Sequence, residues 1–249
     1  MDGTARLIVI PLREQVYHYL KGELNRGALA PGGYLDLNAI AAELGTSRTP
    51  LREALLQLAS EGFVSILPRR GVVVNALTLE EIRHIYEIVG ALEGAALLAA
   101  SPRLTRARVA RMKAFSLGMR RALKRDDFSG YYEKNLAFHD VFLDLCDNDR
   151  LVRAVRLLKE RLYDFPRKKG YVKAWEEASV LEHDAIAGHL ERGDFGAAAD
   201  YLRDVHWSYA VQEKFIGEYY GSEEVGKSGS EEGRGRSAGG RKPKGRGHQ

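Results

Sequence analysis

The sequence predicts a mainly α protein: an N-terminal winged helix-turn-helix followed by an antiparallel all-helical bundle of about six helices. Three observations predict it. A helix opens at Ser47-Arg48-Thr49-Pro50 only two residues after another short amphipathic helix closes at Leu44. The pattern then changes to strand-like runs, Val64 and Ile66 before Pro68-Arg69-Arg70-Gly71 and Val72, Val73 and Val74 after it. From Thr78 onward every periodic stretch has helical spacing.

Leu12, Val16, Tyr19, Leu20 and Leu24 define a first helix, which ends near Gly27 and is followed by a Pro31-Gly32-Gly33 turn. A second helix covers about 37–44. The third runs from Ser47 to about Ser60. Ser47 is placed to cap it, Pro50 sits in the first turn where its missing amide costs nothing, and Leu51, Ala54, Leu55 and Leu58 form the buried stripe. With the hairpin, residues 10–76 make one domain. A second domain, 78–220, opens with the capping-box sequence Thr78-Leu79-Glu80-Glu81. Breaks at Ser101-Pro102, Asp126-Asp127, Asp147-Asn148, Pro166 to Gly170 and Gly193-Asp194 divide it into about six helices, the last reaching Tyr220. Residues 222–249 are rich in Gly and Ser and carry Arg234, Arg236, Arg241, Lys242, Lys244 and Arg246. They are expected to be a disordered basic tail, either a solvated appendage or an electrostatic arm for DNA phosphates.

Composition narrows the class. With 249 residues, 45% hydrophobic and 29% charged, the chain is of ordinary globular make-up and large enough for two modest domains. The lone Cys146 excludes an internal disulfide framework. The most apolar run, Ile88 to Ala100, is interrupted by Glu93 and is shorter than the roughly 20 residues that span a bilayer. A cytoplasmic protein with no membrane partner is expected. The net charge of +4 is compatible with nucleic-acid binding without requiring it.

Arg48, Thr49 and Arg52 stand at the exposed start of the third helix, where a recognition helix meets base edges and phosphates. Ser47 and Asn38 complete that face, and Arg69, Arg70 and Gly71 form a basic wing tip. In the bundle, Asn135 and His139 are one helical turn apart and share a face, while His183 and His206 belong to other helices. Three imidazoles and an amide oxygen suit a borderline divalent ion, zinc first and nickel or manganese as alternatives. Each histidine is equally compatible with a hydrogen-bonded core residue. His18, His84, His189 and His248 have no partner at ligand spacing.

Both halves resemble a known family. Pro31-Gly32, Leu35, the run Leu44 to Leu55, Leu58, Glu61-Gly62 and Arg70-Gly71 are similar to the DNA-binding domain of GntR-type transcriptional regulators. Tyr86-Glu87, Leu92-Glu93-Gly94, Ala99-Ala100, Asn135, Phe138-His139, Glu182-His183, Ile186 and His206 resemble the FCD effector domain of the FadR subgroup. The resemblance spans about residues 10–216. It implies that Arg48, Thr49 and Arg52 meet an operator, that Arg70 and Gly71 form the wing tip, and that Asn135, His139, His183 and His206 ligate a metal. It also implies a homodimer on palindromic double-stranded DNA and a small-molecule effector, commonly an organic acid. Two positions depart from the pattern: Asn135 stands where many relatives have Asp, and Val89 where many have Arg. About six helices, not seven, places the chain nearer the VanR branch.

Two other readings compete. A metal-dependent hydrolase would need a general base beside the metal, for which Asp140 and Glu182 are the sequence neighbours. Each adjoins a ligand and so projects about 100° from it on a helix. A chromatin-associated protein would bind DNA without sequence preference. The mechanism expected of a regulator is an equilibrium between dimer arrangements that the effector biases.

Overall fold

The computed structural model describes residues 10–164 and 171–220; the expected basic tail at 222–249 lies outside the described residues. The chain opens with α1 (Leu12–Asn25), α2 (Leu37–Glu43) and α3 (Arg48–Ser60). A hairpin of β1 (Val64–Leu67) and β2 (Gly71–Val74) follows, antiparallel in the register Val64↔Val74 to Leu67↔Gly71. Val16, Leu20 and Leu24 from α1 meet Leu51, Leu55 and Leu58 from α3, with Phe63 and the hairpin valines closing the core. Tyr19 packs against it half-buried, as expected, but Leu12 does not join it. Leu12 occupies the open first turn and is 50% exposed, while Tyr17 is buried and its hydroxyl donates to Glu61 at 2.6 Å.

Two local features differ from the sequence reading. Ser47 occupies the N-cap position with an extended backbone (φ −80°, ψ 167°), yet its side chain makes no capping hydrogen bond, so the hydroxyl stays exposed. By contrast, Asp36 does cap α2, accepting from Asn38 N and Ala39 N at 3.0 Å. The glycine turn does more than reverse the chain. Residues 32–35 pair with β2 through Leu35 N to Val72 O and Val74 N to Gly33 O, both 2.9 Å, which pins the wing to the helices.

The second core is entirely helical. It comprises α4 (Leu79–Ala100), a 3-10 turn at Ser101–Arg103, α5 (Arg106–Leu123), α6 (Phe128–Leu143), α7 (Asp149–Asp164) and α8 (Lys173–Glu191), then α9 (Phe195–Tyr201), a π-turn at Leu202–His206 and α10 (Tyr209–Tyr220). Thr78 and Glu81 satisfy each other's amides in a complete capping box. The last of the six expected helices is interrupted, giving this second core seven α-helices among the described residues. A π-turn inserts a single residue into an otherwise continuous apolar rhythm, so periodicity conceals it.

α4 lies centrally, packed against α6, α7, α9, the π-turn and α10. By length and mean hydropathy it passes as a bilayer-spanning helix. Its fully buried Glu93, however, is ion-paired inside the bundle. α7 joins the two cores: Glu160 meets Lys21 of α1 at 2.5 Å, and Arg161 lies over Gly62 and reaches Glu81 at 3.4 Å. Gly62 is favoured by its φ of +83°, and the Arg161 guanidinium lies over it, 3.0 Å from where a Cβ would stand.

Candidate metal centre and nucleic-acid interface

α6 carries Asn135 and His139 on one inward face, α8 supplies His183, and the π-turn delivers His206. The third approach depends on Gly90 of α4. A Cβ at that position would lie 3.0 Å from Trp207 Cβ and 3.3 Å from Arg203 Cα, so only glycine lets the π-turn come this near. The three imidazole centroids are then 5.2, 5.2 and 4.7 Å apart. One nitrogen from each ring falls within 4.8 Å of the other two.

The hydrogen bonds determine which nitrogens face inward. His183 Nδ1 is 2.6 Å from Ser179 O, a carbonyl that can only accept, so the proton is on Nδ1 and Nε2 presents a lone pair. His206 Nδ1 meets Glu182 Oε2 at 2.8 Å with the same consequence. His139 Nδ1 lies 2.8 Å from Glu93 Oε2, although off the N–H axis. His139 Nε2 and His183 Nε2 face each other at 3.2 Å: with the His139 proton on Nε2 the contact is a hydrogen bond, and with it on Nδ1, toward Glu93, two lone pairs meet. Two lone pairs repel at that separation unless a cation lies between them. Nitrogens sharing one ion at about 2.1 Å stand about 3.0 to 3.4 Å apart in octahedral or tetrahedral geometry.

Asn135 adds a second observation: its Oδ1 is buried and has no hydrogen-bond partner, which is costly without a ligand. The three imidazoles therefore fit a divalent ion, and Asn135, one turn before His139 on α6, offers a buried, unpartnered amide oxygen as the candidate fourth donor. His183 and His206 already have an outer hydrogen-bond partner on Nδ1 of the kind that orients metal-bound histidines, and His139 Nδ1 stands beside the Glu93 carboxylate. Burial pushes the His139 imidazole down to about 4, against the raising effect of Glu93, and pushes His183 well below its ordinary value. Both are neutral, and thus competent as ligands, at pH 7.

Glu93 and Lys159 were not singled out from sequence as site residues. Glu93 accepts from Lys159 Nζ at 2.8 Å and from Trp207 Nε1 at 2.7 Å. Burial alone would raise its carboxyl, but the neighbouring His139 and Lys159 outweigh that and hold it below the usual carboxylate range. Its signal was the single charge inside the apolar run 88–100. Lys159 likewise falls at helical spacing with buried Val155 and Leu162. Glu182 does not project away from the centre as its place beside His183 implied. His206 approaches from another element, so Glu182 holds His206 and also accepts from Gln212 Nε2 at 2.8 Å. Asp140 stays outside, 3.6 Å from Arg156. Val89 is fully buried. Asn135, Glu182 and His206 border a cleft of about 70 Å³.

The DNA-facing candidates share one surface condition: Asn38, Ser47, Arg48, Thr49, Arg52, Arg69, Arg70 and Gly71 are all exposed. Arg48 donates to Asn38 Oδ1, linking the starts of α2 and α3. At the wing tip Arg69 adopts a left-handed backbone (φ 60°), which turns the chain between β1 and β2. Tyr34, 57% exposed and beside Gly71, adds an aromatic ring that the sequence reading did not include.

Comparisons with known proteins agree with both halves. Residues 12–74 match the bacterial regulatory proteins of the gntR family, and residues 84–205 match the FCD domain. The chain is 35% identical, over 130 residues, to an uncharacterized HTH-type transcriptional regulator of Agrobacterium vitis in the TAR-I ttuE-ttuC' intergenic region, covering 51% of this chain and 76% of that one. It is 27% identical over 137 residues to the HTH-type transcriptional repressor RspR of Escherichia coli K12, covering 55% of this chain and 60% of the repressor. The solved structure of E. coli McbR/YncC has the same fold, with a TM-score of 0.61 at 23% identity over 84% of this chain and 97% of that one. The chain belongs to the GntR-type transcriptional regulators that carry an FCD domain.

Proposed function

We propose that the protein is a cytoplasmic, non-enzymatic regulator that binds a palindromic operator as a homodimer, its affinity set by a small organic acid bound beside a divalent ion. The observation that carries the effector half is the pair of Nε2 atoms facing each other at 3.2 Å next to the orphaned, buried Asn135 Oδ1. When bound, zinc, nickel or manganese supplies uncompensated positive charge to which an oxygen donor of the effector is drawn. His139, His183 and His206 hold that position, and Glu93 and Glu182 keep their rings oriented.

α7 is the candidate transmission element. Lys159, Glu160 and Arg161 are consecutive, yet they meet Glu93 beneath the centre, Lys21 of α1, and the Gly62 and Glu81 segments. A shift of α7 therefore acts on both cores. For this to regulate, the effector must bind one dimer arrangement better than the other. The hydrolase reading loses its base, since Glu182 is engaged by His206 and Gln212.

The test is fluorescence anisotropy on DNA from the protein's own promoter region, with metal content measured in parallel. Wild-type protein should carry stoichiometric metal and respond to small organic acids. His183→Ala should lose the metal and the response but keep operator binding. Metal-free wild-type protein with an unaltered response would overturn the effector half, and equal affinity for operator and random duplex the regulator half.

A further inference from the structure

Among the described residues, Lys159 is the only buried lysine or arginine, with 5% of its surface exposed. Such a charge is tolerated only where a partner compensates it. Its ammonium donates to Glu93 Oε1 at 2.8 Å and stands 5.4 Å from the centroid of the Trp207 ring. The other oxygen of Glu93 accepts from Trp207 Nε1 at 2.7 Å and lies 2.8 Å from His139 Nδ1. Lys159 is thus one carboxylate away from the histidine cluster. It does not border the cleft that Asn135 and His206 line.

This position brings a fixed positive charge close to the imidazoles without offering it to a ligand in the cleft. Glu93 is fully buried, so water screens that charge poorly. Burial is the main reason that His139 and His183 resist protonation, and the Lys159 charge adds to it on both rings. A metal cation held by the same nitrogens meets the same opposition. An anion attached to that cation is favoured instead, because the interaction changes sign with the charge.

We infer that Lys159 acts through Glu93 as a fixed counter-charge that loosens the histidine cluster's hold on its divalent ion and strengthens the loaded centre's hold on an anion. This inference rests on the metal and effector readings above and names the residue that couples them. Lys159 is a positioning residue, since it touches neither ligand. Replacing a residue that merely supported the fold would weaken both ligands together, whereas removing a counter-charge moves them in opposite directions.

The test uses the full-length chain. Zinc affinity is read by chelator competition, and acetate affinity from the visible spectrum of the cobalt-loaded form. Lys159→Met should bind zinc about tenfold more tightly and acetate about tenfold more weakly than wild type. Lys159→Gln still offers a donor to Glu93 and should shift both affinities the same way, which keeps the test available if the Met variant does not fold. Lys159→Arg keeps the charge and should stay near wild type in both. Affinities that fall together, either one left unchanged, or an Arg variant that behaves like Met would overturn the inference and leave the metal reading standing. A wild-type cobalt form indifferent to acetate would overturn it together with the effector reading, and a wild-type chain that takes up no zinc would overturn the metal reading as well.

Discussion

Arg48 and Arg52 are one turn apart on the exposed start of α3, so either can reach a base edge while the other contacts phosphate. Replacing a base-contacting arginine with Ala should cost about 1 to 3 kcal/mol of operator affinity with the melting temperature unchanged. An equal loss on random duplex would assign that residue to the backbone. At the histidine cluster the consequence concerns stability. His139 is pushed down to about 4 and His183 well below its ordinary value, whereas both titrate near 6.5 when unfolded. Between about pH 4 and 6.5 the unfolded chain binds more protons, so metal-free stability should be full above about 6.5 and decline on acidification. Urea midpoints with chelator present check the sign; a profile flat across that window would mean the imidazoles are not held neutral.

Among the elements, the π-turn and the helix it leans on matter most for the site. Gly90 has no room for a side chain: even a Cβ there would press on Trp207 at 3.0 Å. Gly90→Leu should therefore push the π-turn outward, destabilise the bundle by about 1 to 3 kcal/mol and weaken metal binding through His206. Retention of wild-type zinc affinity would show that His206 does not depend on this contact. The wing is a contrasting case, since its position is fixed by the pairing of residues 32–35 with β2 and not by burial of its tip.

Across the whole molecule, the question is how a ligand event in the bundle reaches the winged domain. Glu160→Ala removes the 2.5 Å contact with Lys21, an exposed pair worth at most about 1 kcal/mol to stability. If α7 transmits the signal, this variant should bind zinc normally yet show a smaller difference in operator affinity between metal-loaded and metal-free forms. An unchanged difference would move transmission to another interface. The expected homodimer is checked separately by light scattering on the protein alone and on an operator with two half-sites.

Local chemistry made much of this readable in the linear chain. The α3 stripe, the capping box at Thr78 and the hairpin flanking Pro68 to Gly71 depend on residues within a few positions of one another, so their spacing reports them directly. The one-turn spacing of Asn135 and His139 was legible for the same reason. Convergence of His183 and His206 on that pair, the recruitment of Glu93, Lys159 and Glu182 around them, and the split of the last helix were decided by packing between distant segments. A buried charge is tolerated only where its partners meet it, and those partners come from helices 24 to 114 residues away. Periodicity along one helix says which face is buried, but only the assembled bundle says what that face meets.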